Sequence, residues 1–152
     1  MYPTAAKLVA GLLFAALAFF ISSLVIPNIP FGENTPLAFG LSNAVIGFIM
    51  GWRVSGRRAG EGYSFAIAYG ITAVVAILFW VLLYWGFREM LDRALDIAYD
   101  DPTEALEEMV RLMVEYASYT LGNNVLPAMA VGAVFCGVIV EWVGQKNGRP
   151  RD

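Results

Sequence analysis

Glu141 stands in an otherwise uncharged apolar run at about 124–143. An ionisable group inside such a run is expensive to bury and marks a functional position by default. Lys146 follows five residues later, which puts Glu141 near one end of its helix. Two roles fit a carboxylate there. One is a structural ion pair with Arg53 or Arg57 that clamps this helix to a loop; the other is a carboxylate that couples to a proton or a cation. The second concentration of chemistry is "GWRVSGRRAGEGY" (Gly51–Tyr63), with Arg53, Arg57 and Arg58 among four glycines. Its arginines can fix the topology of a membrane protein, with the glycines making a tight turn. Alternatively, the loop can cradle an oxyanion or a lipid head group through guanidinium and exposed backbone N–H groups. It is not a P-loop, because Gly-Lys-Ser/Thr is missing.

Asn43, Gly47 and Gly51 share one helical stripe at spacings of four. Small residues at that spacing let two backbones approach closely, and an asparagine among them can hydrogen-bond to a neighbouring helix. Met129, Ala133, Gly137 and Glu141 repeat the pattern, with Gly132 and Cys136 as a second small stripe and Ala66 and Gly70 as a third. These stripes serve a bundle within one chain as well as a seam between chains. The absences narrow the chemistry further. The chain has no histidine and one cysteine, Cys136. The commonest general base, a disulfide within the chain and a CxxC motif are therefore all missing. No serine-centred motif with a base and no metal cluster is visible. The expectation is a protein that is not an enzyme and carries no cofactor or metal. A net charge of −3 argues against nucleic acid as a partner.

The elements that position these residues read as membrane helices. Hydrophobic residues make up 59% of the 152 and charged ones only 15%, against about a quarter in soluble domains. Crossing a bilayer takes roughly 20 mostly apolar residues. Four runs qualify, at about 5–26, 36–54, 64–87 and 124–143. Thr4 can cap the first and Pro27 end it; Thr35 and Pro36 suit the start of the second. "ALA" at 16–18 has the form of a signal-peptide cleavage site. The apolar run continues well past it, so a retained helix is expected.

Four spans put Lys7, Arg53, Arg57, Arg58, Lys146, Arg149 and Arg151 on one side, and Arg88, Arg93 and Arg111 on the other. Seven against three makes the first side cytoplasmic, with both termini inside. The cytoplasmic parts are then a loop at 53–63 and a tail at 144–152. Trp52, Tyr63 and Trp142 fall at the inner ends of the spans, and Tyr84 and Trp85 at the outer end of the third, as an interfacial belt would.

Residues 87–123 hold nine acids against three arginines. Their apolar periodicity predicts amphipathic helices at about 88–99 and 102–121, the first of which can simply continue the third span. Asp101, Pro102 and Glu104 form a helix start, and Gly122 can end the second helix. The expected fold is all-α: an integral membrane four-helix bundle in one domain, with a periplasmic amphipathic hairpin between spans three and four. The acidic hairpin packs on itself or on the helix ends, docks another membrane protein, or attracts cations at a mouth.

"PTAAKLV" (3–9), "NAVIGFIMGWRVSGRRAGEGY" (43–63) and "EW" (141–142) are similar to the TrgA-type tellurium-resistance membrane proteins of alphaproteobacteria. Arg53, Gly56, Arg58, Ala59, Gly60, Gly62 and Tyr63 match that family's pattern, whereas Arg57 stands at a position expected to vary. The resemblance implies an inner-membrane protein associated with tellurite or envelope-stress resistance, and it brings no catalytic site with it. The alternatives are an accessory subunit of a larger membrane complex and a small oligomeric transporter using Glu141. The bilayer is the first partner. A homo-oligomer or a larger complex would form through the Asn43/Gly47/Gly51 face.

Overall fold

The computed structural model describes residues 4–28, 36–96, 101–122 and 124–147. Among them the chain forms five α-helices and no strand: α1 (Thr4–Val25), α2 (Pro36–Met50), α3 (Tyr63–Asp96), α4 (Pro102–Thr120) and α5 (Val125–Asn147). Helices α1, α2 with the turn after it, α3 and α5 are each long and apolar enough to cross a bilayer. Their outer faces carry exposed Leu12, Leu41, Val45, Val75, Phe79 and Phe135, a surface suited to lipid tails rather than water. The chain is a multi-pass, all-α membrane protein.

Pro27 stops α1 as expected, through a short 3₁₀ turn at Ile26–Asn28. The start expected at Thr35 lies outside the described residues. At its other end α2 does not run on as a regular helix. It widens into a π-helical turn at Gly51–Ser55, closed by the Gly56 N–H donating to the Gly51 carbonyl at 2.9 Å. The amphipathic stretch expected at 88–99 continues α3 as far as Asp96, the arrangement that the sequence left open, and 97–99 lie outside the described residues. No glycine or proline lies between Phe87 and Asp96, so nothing interrupts a 34-residue helix. Asp101 and Pro102 do begin α4, although the Asp101 side chain makes no capping bond. Helix α5 runs four residues past the expected end at 143, to Asn147.

The hairpin of α3 and α4 is tied by ions and by packing. Arg93 bonds Glu89 at 3.0 Å and Glu108 at 2.7 Å, and Arg111 bonds Glu108 at 2.6 Å. Closer to the bundle, Gly86 of α3 lies against Met109 and Met113 of α4. This is the hairpin packed on itself, one of the arrangements open from sequence.

Within the bundle, α1 packs mainly on α2 and α5, and α5 also packs on α3. The seam between α2 and α3 is the weaker one. Small residues allow the tight crossings. On α3 and α5, Gly70 faces the Ala133 carbonyl and Gly137 faces the Ala66 carbonyl, with no room for a β-carbon at either glycine. Phe14, Ala73, Ile77, Met129, Ala133 and the buried thiol of Cys136 form the core that these crossings enclose.

Candidate functional site

The loop after α2 is built to expose amide groups towards α5. Gly60 and Gly62 have φ of +99° and +120°, a region that side chains with a β-carbon disfavour. That geometry turns both N–H groups onto Glu141. Gly60 donates to Oε2 and Gly62 to Oε1, each at 2.7 Å, and Gln145 adds a bond from Nε2 to Oε1 at 2.9 Å. Glu141 itself is 1% exposed. Three residues further along α5, Gly144 leaves space for Ala59; a β-carbon there would stand 2.8 Å from the Ala59 Cβ. At the other end of the loop, Gly56 lies on the Cα of Lys7 in α1. The loop is thus pinned to the first and the last helices together.

The sequence puts Arg53 or Arg57 opposite Glu141. The described structure puts backbone amides there instead. The clamp between loop and helix is present, but its donors are N–H groups rather than guanidinium groups. Backbone donors suit this place physically. They bring no second charge that must be desolvated, and a paired buried carboxylate avoids the several kcal/mol lost by an unpaired one. The oxyanion that the glycine loop cradles is therefore the chain's own carboxyl group.

With Glu141 taken, the three arginines face the other way. All three are exposed. They line an open groove of about 660 Å³ with Val54, Tyr69 and Thr72. The Arg58 guanidinium lies 5.0 Å from the centre of the Tyr69 ring and donates to its hydroxyl at 3.2 Å. That hydroxyl in turn donates to Glu61 at 2.7 Å. The bond to Tyr69 is the main cause of an Arg58 pKa raised above its ordinary value. Among the described residues, no ion pair engages Arg53 or Arg57.

Asn43, Gly47 and Gly51 do come together, and α1 covers them. Asn43 is 3% exposed. Its Nδ2 donates to Ser22 Oγ at 2.9 Å, and its Oδ1 accepts the indole N–H of Trp85 at 2.9 Å. The Ser22 hydroxyl in turn donates to the Ala18 carbonyl at 2.7 Å. Trp85 was expected in the interfacial belt; it is buried, against Phe39 at 4.9 Å between ring centres. A β-carbon on Gly47 would stand 2.5 Å from the Phe14 carbonyl oxygen, and one on Gly51 2.6 Å from that of Ala10. The stripe is a seam within one chain, so a partner using this face would have to displace α1.

Sequence reasoning passed over Ser22, Gln145, Tyr69 and Thr72, and it named Trp85 only for the interfacial belt. It named Gly60 and Gly62 only as parts of a turn or an anion cradle. The alternation Gly60-x-Gly62 was the one available signal, since two neighbouring glycines can aim two amides at one oxyanion. Comparison with protein-family models, with curated proteins and with solved structures returns no significant match.

Proposed function

We propose that this is a small inner-membrane protein, with both termini in the cytoplasm, that supports resistance to tellurite or envelope stress without enzymatic chemistry of its own. The seven-to-three distribution of basic residues supports the orientation. The resemblance of residues 3–9, 43–63 and 141–142 to the TrgA-type proteins supports the physiological role. The observation that carries the non-enzymatic reading is the state of Glu141. It is the one acid of the apolar run at 124–143, and both of its oxygens are engaged by N–H groups, two of which tie the loop after α2 to α5. A carboxyl group committed in this way serves architecture rather than proton or cation coupling.

The deciding experiment is tellurite tolerance of a deletion strain complemented with wild type or with Glu141→Gln, membrane levels of each being measured. In parallel, the purified protein is assayed for tellurite flux in proteoliposomes. Wild type should restore tolerance, Glu141→Gln should fail in proportion to lost protein, and vesicles should show no flux. A deletion without a tellurite phenotype, or flux that Glu141→Gln abolishes at normal protein levels, overturns the reading.

A second reading, an accessory subunit of a larger membrane complex, draws on α4. Leu106, Val110 and Val114 form an i, i+4, i+8 row that is exposed on the hairpin. Co-purification in mild detergent that is lost with Leu106→Ser/Val110→Ser/Val114→Ser would favour it.

A further inference from the structure

The arginine groove does not stand alone. Arg53 also lines a second groove, of about 540 Å³, along the weak seam between α2 and α3. Its walls are apolar: Ile46, Ile49 and Met50 on one side, Trp80, Leu83 and Phe87 on the other. Each volume lies within the roughly 300–1,000 Å³ of ordinary ligand sites. The two grooves meet at Arg53, one cationic and one greasy.

Their depth along α3 matters. Tyr69, in the cationic part, and Arg88, near the far end, are separated by 19 residues, or about 28 Å at 1.5 Å per residue. That nearly matches the roughly 30 Å of a bilayer's hydrocarbon core. Arg53, Arg57, Arg58 and Tyr69 therefore stand at the level of lipid head groups, and the apolar groove runs from there into the acyl region. Arginine suits a phosphodiester better than lysine, since its planar fork can bond two oxygens at once. Tyr69 and Thr72 supply hydroxyl groups beside it.

We propose that the seam between α2 and α3 holds one anionic phospholipid. Its phosphate lies on Arg53 and Arg57, with Arg58 held in place by Tyr69, and one acyl chain lies along Ile46, Met50 and Leu83. Charge selects an anionic head group, and the groove selects an attached chain. Gly60 and Gly62 contribute no amide to this site because Glu141 already occupies both. The lipid site and the clamp are two faces of one loop.

The test is native mass spectrometry of the full-length protein in detergent, titrated with phosphatidylglycerol or phosphatidylcholine of matched chains. Glycerophosphoglycerol and inorganic phosphate serve as competitors. Wild type should retain one phosphatidylglycerol at least tenfold better than phosphatidylcholine. Arg53→Gln/Arg57→Gln should lose that preference, with an unchanged melting temperature showing that it is folded. Leu83→Trp, which fills the groove and leaves the arginines in place, should weaken retention of both lipids. Equal retention of the two lipids by wild type overturns the proposal, as does undiminished phosphatidylglycerol binding by the double variant. Displacement by millimolar phosphate or by the chain-free head group would assign the arginines to a soluble oxyanion instead, and so also overturn it.

Discussion

Gly60 and Glu141, 81 residues apart, are joined by a 2.7 Å hydrogen bond from a backbone amide to a buried carboxyl oxygen. Gly62 makes the matching bond to the other oxygen. Together they fasten the loop after α2 to the last helix. Replacing the acid by its amide should reveal what this is worth. In Glu141→Gln, one of the two oxygens becomes an NH₂ group facing an N–H donor. The expected loss is about 2 kcal/mol, in the range for a buried donor left without an acceptor. Thermal unfolding in detergent reads it. A coupling carboxylate held in place by other contacts would instead leave the melting temperature unchanged.

Gly60 and Gly47 should respond to alanine for different reasons. Around Gly60 no atom lies within 4 Å of an added β-carbon, so only its positive φ resists the change. The cost should be of order 1 kcal/mol. At Gly47 the new carbon meets the Phe14 backbone oxygen, and α1 must move away. Gly47→Ala should be the more damaging, by roughly 1–3 kcal/mol as for an overpacked core. Reversal of that order, measured by thermal melts on matched preparations, would mean the glycine stripe does not set the spacing of α1 and α2.

Asn43 bridges three helices through Ser22 and Trp85. A double-mutant cycle with Asn43→Ala and Trp85→Phe should give a coupling of about 0.6 kcal/mol and at most about 1.7, the range measured for hydrogen bonds between membrane helices. Additive effects would show that the bond between the two side chains contributes nothing.

The hairpin of α3 and α4 should be acid-sensitive through Glu108. Its hydrogen bond to Arg111, then the charges of Arg111 and Arg93, hold its pKa below the usual 4.5 against the opposing effect of burial. A carboxyl group with a depressed folded pKa stabilises the fold fully above the unfolded value. That stabilisation fades as pH falls through the depressed value. Hydrogen exchange along Pro102–Thr120, corrected for intrinsic rates, should therefore accelerate below about pH 4.5, the ordinary value for the free carboxyl. Glu108→Gln should flatten most of that acid dependence. If it does not, other carboxyl groups of this acidic segment carry it.

The four spans were legible because length and hydropathy alone identify them, and the Pro27 stop was legible because proline cannot continue a helix. The continuity of α3 through Arg88 and Arg93 was one of two readings the sequence left open. A change from uniform to amphipathic character resembles a boundary, yet it only records where the helix gains a neighbour on one side. The Glu141 contact had the right loop and the wrong atoms. Charge arithmetic sees arginines and not amides, because a backbone N–H carries no letter of its own. Its direction here depends on φ at Gly60 and Gly62, which becomes visible only in three dimensions. The intrachain use of the Asn43 stripe could not be read either, since small residues at spacings of four serve a neighbour in the same chain and one in another chain equally well.

The clamp also imposes an order of assembly. The loop holding Gly60 and Gly62 is synthesised long before Glu141, and it leaves the ribosome while the last helix does not yet exist. Until α5 is inserted, the two amides must bond to water, and the loop lacks its tie to the last helix. When the last helix arrives, its carboxyl group displaces that water and draws the loop and α5 into register. A chain truncated before residue 141 should still insert its earlier spans, but the loop after α2 should stay open to proteases that the finished protein resists.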